Sequence, residues 1–342
     1  MPAWPYTKGL HDLGSGGFAW LQPDGGYGYS NAGLIVDSGQ ALLVDTLFDV
    51  PLTQEMLDAM GRSIPEARRI DRVVNTHAHP DHTAGNLLLE GADIIASDAT
   101  LQEMRQIDSP GNPVAELLRN WRKYGEAGEY LHEVMGSRFQ VHAAPQLMPT
   151  RTFERELTLD VGAKEVKLLG VGPAHSRGDT LVYVPRDRLL FTGDILFHEV
   201  HPLVMPGAAD AWIAACDLID EWDIDVVVPG HGPITDKGGV RKLREYLVYF
   251  RAEARKRFDA GMDYKEATLD IALDAFHGWP DEERIFATVN NFYAEFGAKP
   301  APMTEVLQTS GRYRRYKSSG CRDHGPSCSM QHRDELLAVL NA

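Results

Sequence analysis

The sequence predicts a layered α/β fold, and three observations predict it. Short apolar runs of strand length alternate with segments of helical spacing through the first hundred residues. The strand signal returns after residue 151 and repeats that architecture, although no sequence repeat is present. Several of the apolar runs end in glycine, histidine and aspartate, residue types that a strand interior rarely needs.

Taken in order, residues 1–30 are rich in glycine and aromatic residues and read as irregular chain with short edge strands. Leu34-Ile35-Val36 and Ala41-Leu42-Leu43-Val44 flank Asp37-Ser38-Gly39-Gln40 as a hairpin, and the second run ends in Asp45-Thr46. Leu52, Met56, Leu57 and Met60 share a face of a helix over 51–62. Residues 72–76 form a strand, 82–90 a helix and 93–96 a buried strand. Residues 97–150 are less regular. Helical stretches near 97–106 and 112–135 carry Trp121, Tyr124 and Tyr130, and prolines 110, 113, 145 and 149 break the segment. It reads as an insertion capping the site, or equally as a plain connector.

The second half has strands over 156–161, 165–171, 180–184 and 188–192, a helix over 208–222 and a strand at 225–229. Residues 236–297 have helical spacing throughout, with Leu243, Leu247 and Phe250 on one face and Ala267, Ile271 and Ala275 continuing it. The tail opens with Arg312, Arg314, Arg315 and Lys317 and ends in a short helix over 332–341. The expected division is a catalytic domain at 1–235, a helical C-terminal subdomain at 236–310 and a basic tail at 311–342.

Composition excludes some classes of function. The 342 residues are 43% hydrophobic and 24% charged, with a formal net charge of −15. That balance disfavours a nucleic-acid backbone as partner, because phosphate binding needs clustered Lys and Arg. No apolar run is long enough to span a bilayer, and the first residues show no secretory pattern. Three cysteines (Cys216, Cys321 and Cys328) do not make a disulfide framework, so a reducing cytoplasm is expected. The expected partner is a small-molecule substrate, and a homodimer is left open.

The chemistry concentrates in Thr76-His77-Ala78-His79-Pro80-Asp81-His82, where three imidazoles and a carboxylate fall within six residues. Neutral imidazole and carboxylate are the usual protein ligands for zinc and borderline first-row metals. Pro80 suits a helix first turn, so the motif sits where a strand ends and a helix begins. His77 and His79, two apart on extended chain, leave the same face. Later strands end in His175, Asp194 and His231, each beside glycine that lets the backbone turn sharply. Collected, His77, His79 and His175 serve one metal and Asp81, His82 and His231 another, with Asp194 able to bridge.

On these residues the chain resembles the metallo-β-lactamase superfamily, marked by His-X-His-X-Asp-His followed by a lone His, a lone Asp and a final His. All seven positions are present in order, and the resemblance covers about residues 20–235. It implies an αββα sandwich with a C-terminal helical extension and the site at one edge of two packed sheets. Within the superfamily the chain looks most like the glyoxalase II-like and lactonase-like members. The expected activity is that of a dinuclear zinc hydrolase cleaving a small ester, thioester, lactone or β-lactam by metal-bound hydroxide attack, with Asp81 and Asp194 in catalytic roles. Iron or manganese are alternative metals. An iron-dependent oxidoreductase resembling persulfide dioxygenases and a non-catalytic metal-binding protein are the competing readings.

Ligating histidines usually pass their other N–H to a carboxylate or carbonyl, which singles out Asp45 and then Asp179, each otherwise a turn-capping aspartate. His198, His201 and Met205 follow Asp194 and are candidates for the substrate pocket, or ordinary loop residues. Cys321, His324, Cys328 and His332 have the residue types of a structural zinc site, at a spacing that matches no familiar one.

Overall fold

The structure is a computed structural model. It describes residues 4–24, 26–140, 146–204, 209–319 and 330–342, without the side chains of 330–332. Met205, Cys321, His324, Cys328 and the His332 side chain lie outside the described residues. The chain forms two compact units, one of Met1–Asn112, Phe139–Val200 and Asp210–Arg244, the other of Pro113–Arg138, His201–Ala209 and Glu245–Ala342.

The first unit holds two sheets. Seven strands form the larger: β1 (Gly9–Gly14), β2 (Gly17–Leu21), β3 (Ala32–Asp37), β4 (Gln40–Val44), β5 (Arg72–Val74), β6 (Asp93–Ser97) and β7 (Arg151–Phe153). They lie side by side in chain order, antiparallel from β1 to β4 and parallel from β4 to β7. Five strands form the smaller: β8 (Glu156–Val161), β9 (Lys164–Gly170), β10 (Thr180–Val184), β11 (Leu189–Phe191) and β12 (Val226–Val228). These also keep chain order, and only β11 and β12 pair in parallel.

The alternation of side chains along a strand explains the layers. Ile35, Leu42, Val44, Val74 and Ile95 join Val166, Leu168, Val182, Val184 and Phe191 in the core shared by the two sheets. Their neighbours Leu34, Leu43, Val73 and Ile94 belong to a second core with Met56 and Met60 of helix Val50–Ser63. Both faces of β4–β6 are therefore buried, which is why those strands read as unbroken apolar runs. The result is the expected mixed fold of two sheets flanked by helices, with further helices at the C-terminal end. Among the described residues no helix is long and apolar enough to cross a membrane.

Local differences from the sequence reading have physical causes. The helix expected over 82–90 is one α turn, Pro80–Thr83, followed by a 3-10 segment, Ala84–Leu88. Gly85 N donates to Leu47 O at 3.0 Å, which draws the chain out of α geometry. The stretch 112–135 is divided into Pro113–Arg119, a 3-10 turn at Trp121–Tyr124, Gly125–Leu131 and a π-helical turn at His132–Gly136.

In the second unit, Gly125–Leu131 packs along a helix at Met303–Ser318. A Cβ on Gly311 would lie 2.8 Å from Tyr130 Cβ, so the two backbones approach closely there. The boundary expected at residue 310 falls inside this helix. Its basic residues pair with acidic ones: Arg312 with Glu126 at 2.5 Å, Arg314 with Glu283 at 2.6 Å and Lys317 with Glu282 at 3.0 Å. Helices Tyr264–Asp270, Arg284–Glu295 and Met330–Asn341 complete the unit, and helix Lys237–Asp259 begins in the first unit and continues into the second.

Ile95 is fully buried between the sheets. Ile95→Ala is expected to lower the stability of the protein by about 2–5 kcal/mol, read as a shift in its urea or thermal unfolding midpoint.

Candidate metal centre

Every residue of the predicted donor set lies beyond the end of a strand. His77, His79, Asp81 and His82 follow β5, His175 follows β9, Asp194 follows β11 and His231 follows β12. The two sheets are tied at this edge by Thr180 N donating to Thr76 O at 2.8 Å. Seven side chains from segments up to about 150 residues apart therefore converge. They fall into two groups, His77, His79, His175 and Asp194 in one and Asp81, His82 and His231 in the other, with the donor atoms of each group within 4.8 Å of one another.

Asp194 faces both groups. Its Oδ2 lies 3.2 Å from His175 Nε2 and 3.7 Å from His77 Nε2. Its Oδ1 lies 3.0 Å from His82 Nε2 and 3.5 Å from His231 Nε2. Asp81 Oδ2 is 3.3 Å from His231 Nε2 and 3.9 Å from His82 Nε2. A tetrahedral site with bonds of about 2.0–2.1 Å needs donor–donor spacings of about 3.3 Å, and these distances bracket that value. Among the described residues His77 Nε2 is buried with no hydrogen-bond partner, while His82 Nε2 and Asp194 Oδ1 are buried facing each other at 3.0 Å. Burying such atoms without a partner is costly, and a cation removes the cost. The residues fit a metal-binding His/Asp cluster.

Backbone packing leaves no slack around Asp194. A Cβ on Gly230 would stand 2.0 Å from Asp194 Oδ1, so only glycine fits there. Gly230 N donates to Gly193 O at 2.8 Å, joining the two loops. Trp212, fully buried in helix Ala209–Glu221, donates its indole N–H to Ile195 O at 2.9 Å and meets the His175 ring edge-on at 5.3 Å. Phe197 stacks on His231 with rings 4.9 Å apart.

Asp45, at the end of β4 with φ +62°, accepts from Thr76 N (2.7 Å), Thr76 Oγ1 (2.7 Å) and His82 Nδ1 (2.9 Å). Because a carboxylate only accepts, His82 carries its proton on Nδ1 and turns Nε2 toward Asp194. Burial pushes the Asp45 carboxyl above its ordinary range, and His82 and Thr76 partly offset this.

Asp179 differs from the expectation that it receives an imidazole N–H. Its oxygens accept from Ala174 N (3.1 Å), Ser176 N (2.8 Å) and Ser176 Oγ (2.7 Å), so it caps the turn that carries His175. The small residues on either side of His175, Ala174 and Ser176, present their N–H groups inward, and one carboxylate collects them.

The pocket candidates separate. His198 N donates to His231 O at 3.0 Å, while a Cβ on Gly239 would lie 2.9 Å from His198 Nδ1, placing that ring beside helix Lys237–Asp259. His201 is fully buried in the second unit, not exposed on a pocket wall. Its Nδ1 lies 3.2 Å from Tyr246 Oη, and its ring meets Phe250 and Trp279 edge-on. Burial and Arg284 hold its pKa down to about 3.

The sequence reading did not single out the amides that hold these loops. His82 O accepts from Thr46 N (3.0 Å), Thr46 Oγ1 (3.2 Å) and Asn75 Nδ2 (3.1 Å), and Asn75 and Asn86 bond each other. Asn75 directly precedes the motif, which was the available signal.

Charge completes the picture. Burial, reinforced by neighbouring imidazoles, holds His77 well below and His79 down to about 4, so both are neutral donors at pH 7. Burial also opposes the charge on His82 and His231. The Asp194 and Asp81 carboxylates outweigh it, raising His82 well above its ordinary value and His231 to about 9. Asp194 is held well below the usual carboxylate range by the imidazoles around it, against the effect of burial.

The chain belongs to the metallo-β-lactamase superfamily, whose sequence profile it matches over residues 25–231. It is 24% identical over 263 residues to the 2,4-dinitroanisole O-demethylase subunit alpha of Nocardioides sp., covering 76% of this chain and 63% of the relative. It is 24% identical over 251 residues to the linear primary-alkylsulfatase of Pseudomonas sp., covering 65% of this chain and 47% of the relative. The chain thus spans about half to two thirds of the length of these two relatives. An acyl-coenzyme A thioesterase of Gallus gallus is 26% identical over 238 residues, covering 64% of this chain and 78% of the relative. Among solved structures, a metallo-β-lactamase from Pontibacter korlensis superposes with a TM-score of 0.51 at 18% identity, covering 70% of this chain and 97% of its own. A stereoselective inverting sec-alkylsulfatase from Pseudomonas sp. gives 0.58 at 16% identity, covering 90% and 50%. At these identities the solved structures establish the fold. The relatives include hydrolases of different bonds.

Metal uptake should release protons. In metal-free protein at pH 7, His82 and His231 hold protons that a metal ion must displace, whereas His77 and His79 hold none. Zinc titration by calorimetry in buffers of different ionisation heat is therefore expected to show release of about two protons at pH 7. Apparent affinity should rise with pH from 7 as His231, raised to about 9, and His82, raised well above its ordinary value, give up their protons. Asp45→Ala is expected to weaken metal binding about 10–100-fold, read by competition with a chromophoric chelator.

Proposed function

We propose that this protein is a dinuclear zinc hydrolase of a small carbonyl substrate: an ester, thioester, lactone or β-lactam. The observation that carries the reading is the division of Asp194, one oxygen toward His77 and His175 and the other toward His82 and His231. One carboxylate presented to two imidazole groups is the donor arrangement of a paired-cation site. His77, His79 and His175 would hold one ion, Asp81, His82 and His231 the other, with Asp194 between them. An all-imidazole and carboxylate set without thiolate suits zinc, and also iron or manganese. Bound there, the ions supply Lewis acidity and lower the pKa of water.

The chain's own residues set the stage for that chemistry. Asp194 is 3% exposed and Asp81 14%, so Asp81 is the carboxylate that solvent and a substrate reach. The imidazoles around it hold Asp81 at about 2 despite its burial, so it stands ionised at neutral pH as an oxygen donor for a cation. The Asp45, Asn75 and Asp179 hydrogen bonds keep the rings and loops from rearranging as the charge at the centre changes. The relatives are named for a β-lactam, a sulfate ester, a thioester and an aryl ether, and that spread supports hydrolysis without choosing the bond. The low cysteine count and a Cys216 thiol buried and pushed up to about 12 suit a reducing cytoplasm.

The test is metal analysis of the purified protein with a panel of esters, thioesters, lactones, β-lactams and alkyl sulfates. Two zinc ions per chain are expected, with turnover of a carbonyl member that chelation abolishes and zinc restores. Asp194→Ala should reduce turnover to the uncatalysed rate. Full turnover after complete metal removal overturns the reading, and iron with redox turnover replaces it by the oxidoreductase one.

A further inference from the structure

We propose that the segment Tyr29-Ser30-Asn31 is a positioning strap for one of the two donor groups, so that it governs retention of one metal ion independently of the other. The inference rests on the dinuclear reading above.

Three consecutive residues reach both distant parts of the group formed by Asp81, His82 and His231. Tyr29 O accepts from His231 Nδ1 at 3.1 Å. A carbonyl only accepts, so this bond places the His231 proton on Nδ1 and leaves Nε2 facing Asp81 Oδ2 at 3.3 Å. Ser30 Oγ donates to Asp81 O at 2.5 Å. Asn31 N donates to Gly230 O at 2.7 Å, and its side-chain amide donates to Pro229 O at 3.0 Å and Gly232 O at 2.8 Å. The Asn31 amide thus straddles the His231 loop, gripping a carbonyl on each side of the ligand. Its Oδ1 accepts from Gln22 N at 3.3 Å, which anchors the strap to the end of β2.

Ser30 and Asn31 are buried, with 0% and 3% of their surface exposed. No hydrogen bond among those given by the described residues joins 29–31 to His77, His79 or His175. That group is held by other contacts: Thr76 Oγ1 at 3.1 Å from His77 Nδ1, and the Asp179 cap around the His175 turn. Asp45 serves both groups, through Thr76 and through His82, whereas the bonds made by residues 29–31 go to the parts of one group, Asp81 and the His231 loop. His82 belongs to the strapped group but is oriented by Asp45, so loss of the strap loosens the segments carrying Asp81 and His231 and leaves the His82 contact in place.

The test uses the full chain, stripped of metal and titrated with zinc against a competing chelator. Unaltered protein should take up two equivalents. Asn31→Ala should retain one equivalent at unchanged affinity and bind the other about 10–100-fold more weakly. Ser30→Ala, which deletes one hydroxyl, should shift the same equivalent in the same direction by less, and it carries the test if Asn31→Ala does not fold. Thermal unfolding of the metal-free variants records general damage separately. The inference is overturned if both equivalents bind as in unaltered protein, or if both weaken together. Unaltered protein that takes up fewer than two equivalents overturns the dinuclear reading, and the strap proposal with it.

Discussion

The structure depends on keeping two carboxylates, Asp81 and Asp194, ionised amid five imidazoles in the interior of the first unit. Removing such charges from water is expensive, and only opposite charge or aligned donors recover the cost. Two imidazoles supply it as protonated partners when no cation is present, because His82 and His231 are driven to hold protons. His77 and His79 stay neutral. Protons and metal ions thus compete for the same Nε2 atoms, and the protein's contribution is to hold those atoms at spacings that a single hydrogen ion satisfies poorly. The buried His77 Nε2, which has no hydrogen-bond partner among the described residues, records that mismatch.

Such a cluster would spread apart unless the loops carrying it were tied down, and the polar network around the site does this. Asp45 turns His82, Asp179 gathers the amides flanking His175, and Asn75 with Thr46 binds the His82 carbonyl. Gly230 lets the last loop touch Asp194 at a distance no side chain would allow. These contacts join segments that are far apart in the chain. Their common ground is the pair of sheets, whose strands β5, β9, β11 and β12 end beside one another because their inner faces share one apolar core.

Much of this was legible. A layered α/β fold could be read from doubly buried runs such as Leu42-Leu43-Val44 and Ile94-Ile95, whose alternate residues serve two cores, while the αββα arrangement came from the resemblance. The donor residues could be read because His77, His79, Asp81 and His82 are too dense for an ordinary turn. Elements that depend on packing were harder. The helix Met303–Ser318 carries a basic half that looks like a solvated tail in isolation, and it is helical against Glu126, Glu282 and Glu283 from elsewhere. The stretch 112–135 has helical spacing, yet the 3-10 turn at Trp121–Tyr124 divides it.

The sequence by itself indicated which side chains can ligate and where strands run to within about two residues, as at Arg72–Val74 against the expected 72–76, because both follow from residue type and local periodicity. It did not determine which carboxylate turns an imidazole and which caps a loop. Asp45 and Asp179 are alike in one dimension, and only the approach of Thr76 and His82 to one, and of Ala174 and Ser176 to the other, separates them. His201 carries the same lesson. A histidine seven residues past Asp194 is buried by aromatic rings from residues 246–279, a choice made by packing across the chain. Hydrogen bonds and burial between distant segments are properties of the folded chain, and no local pattern encodes them.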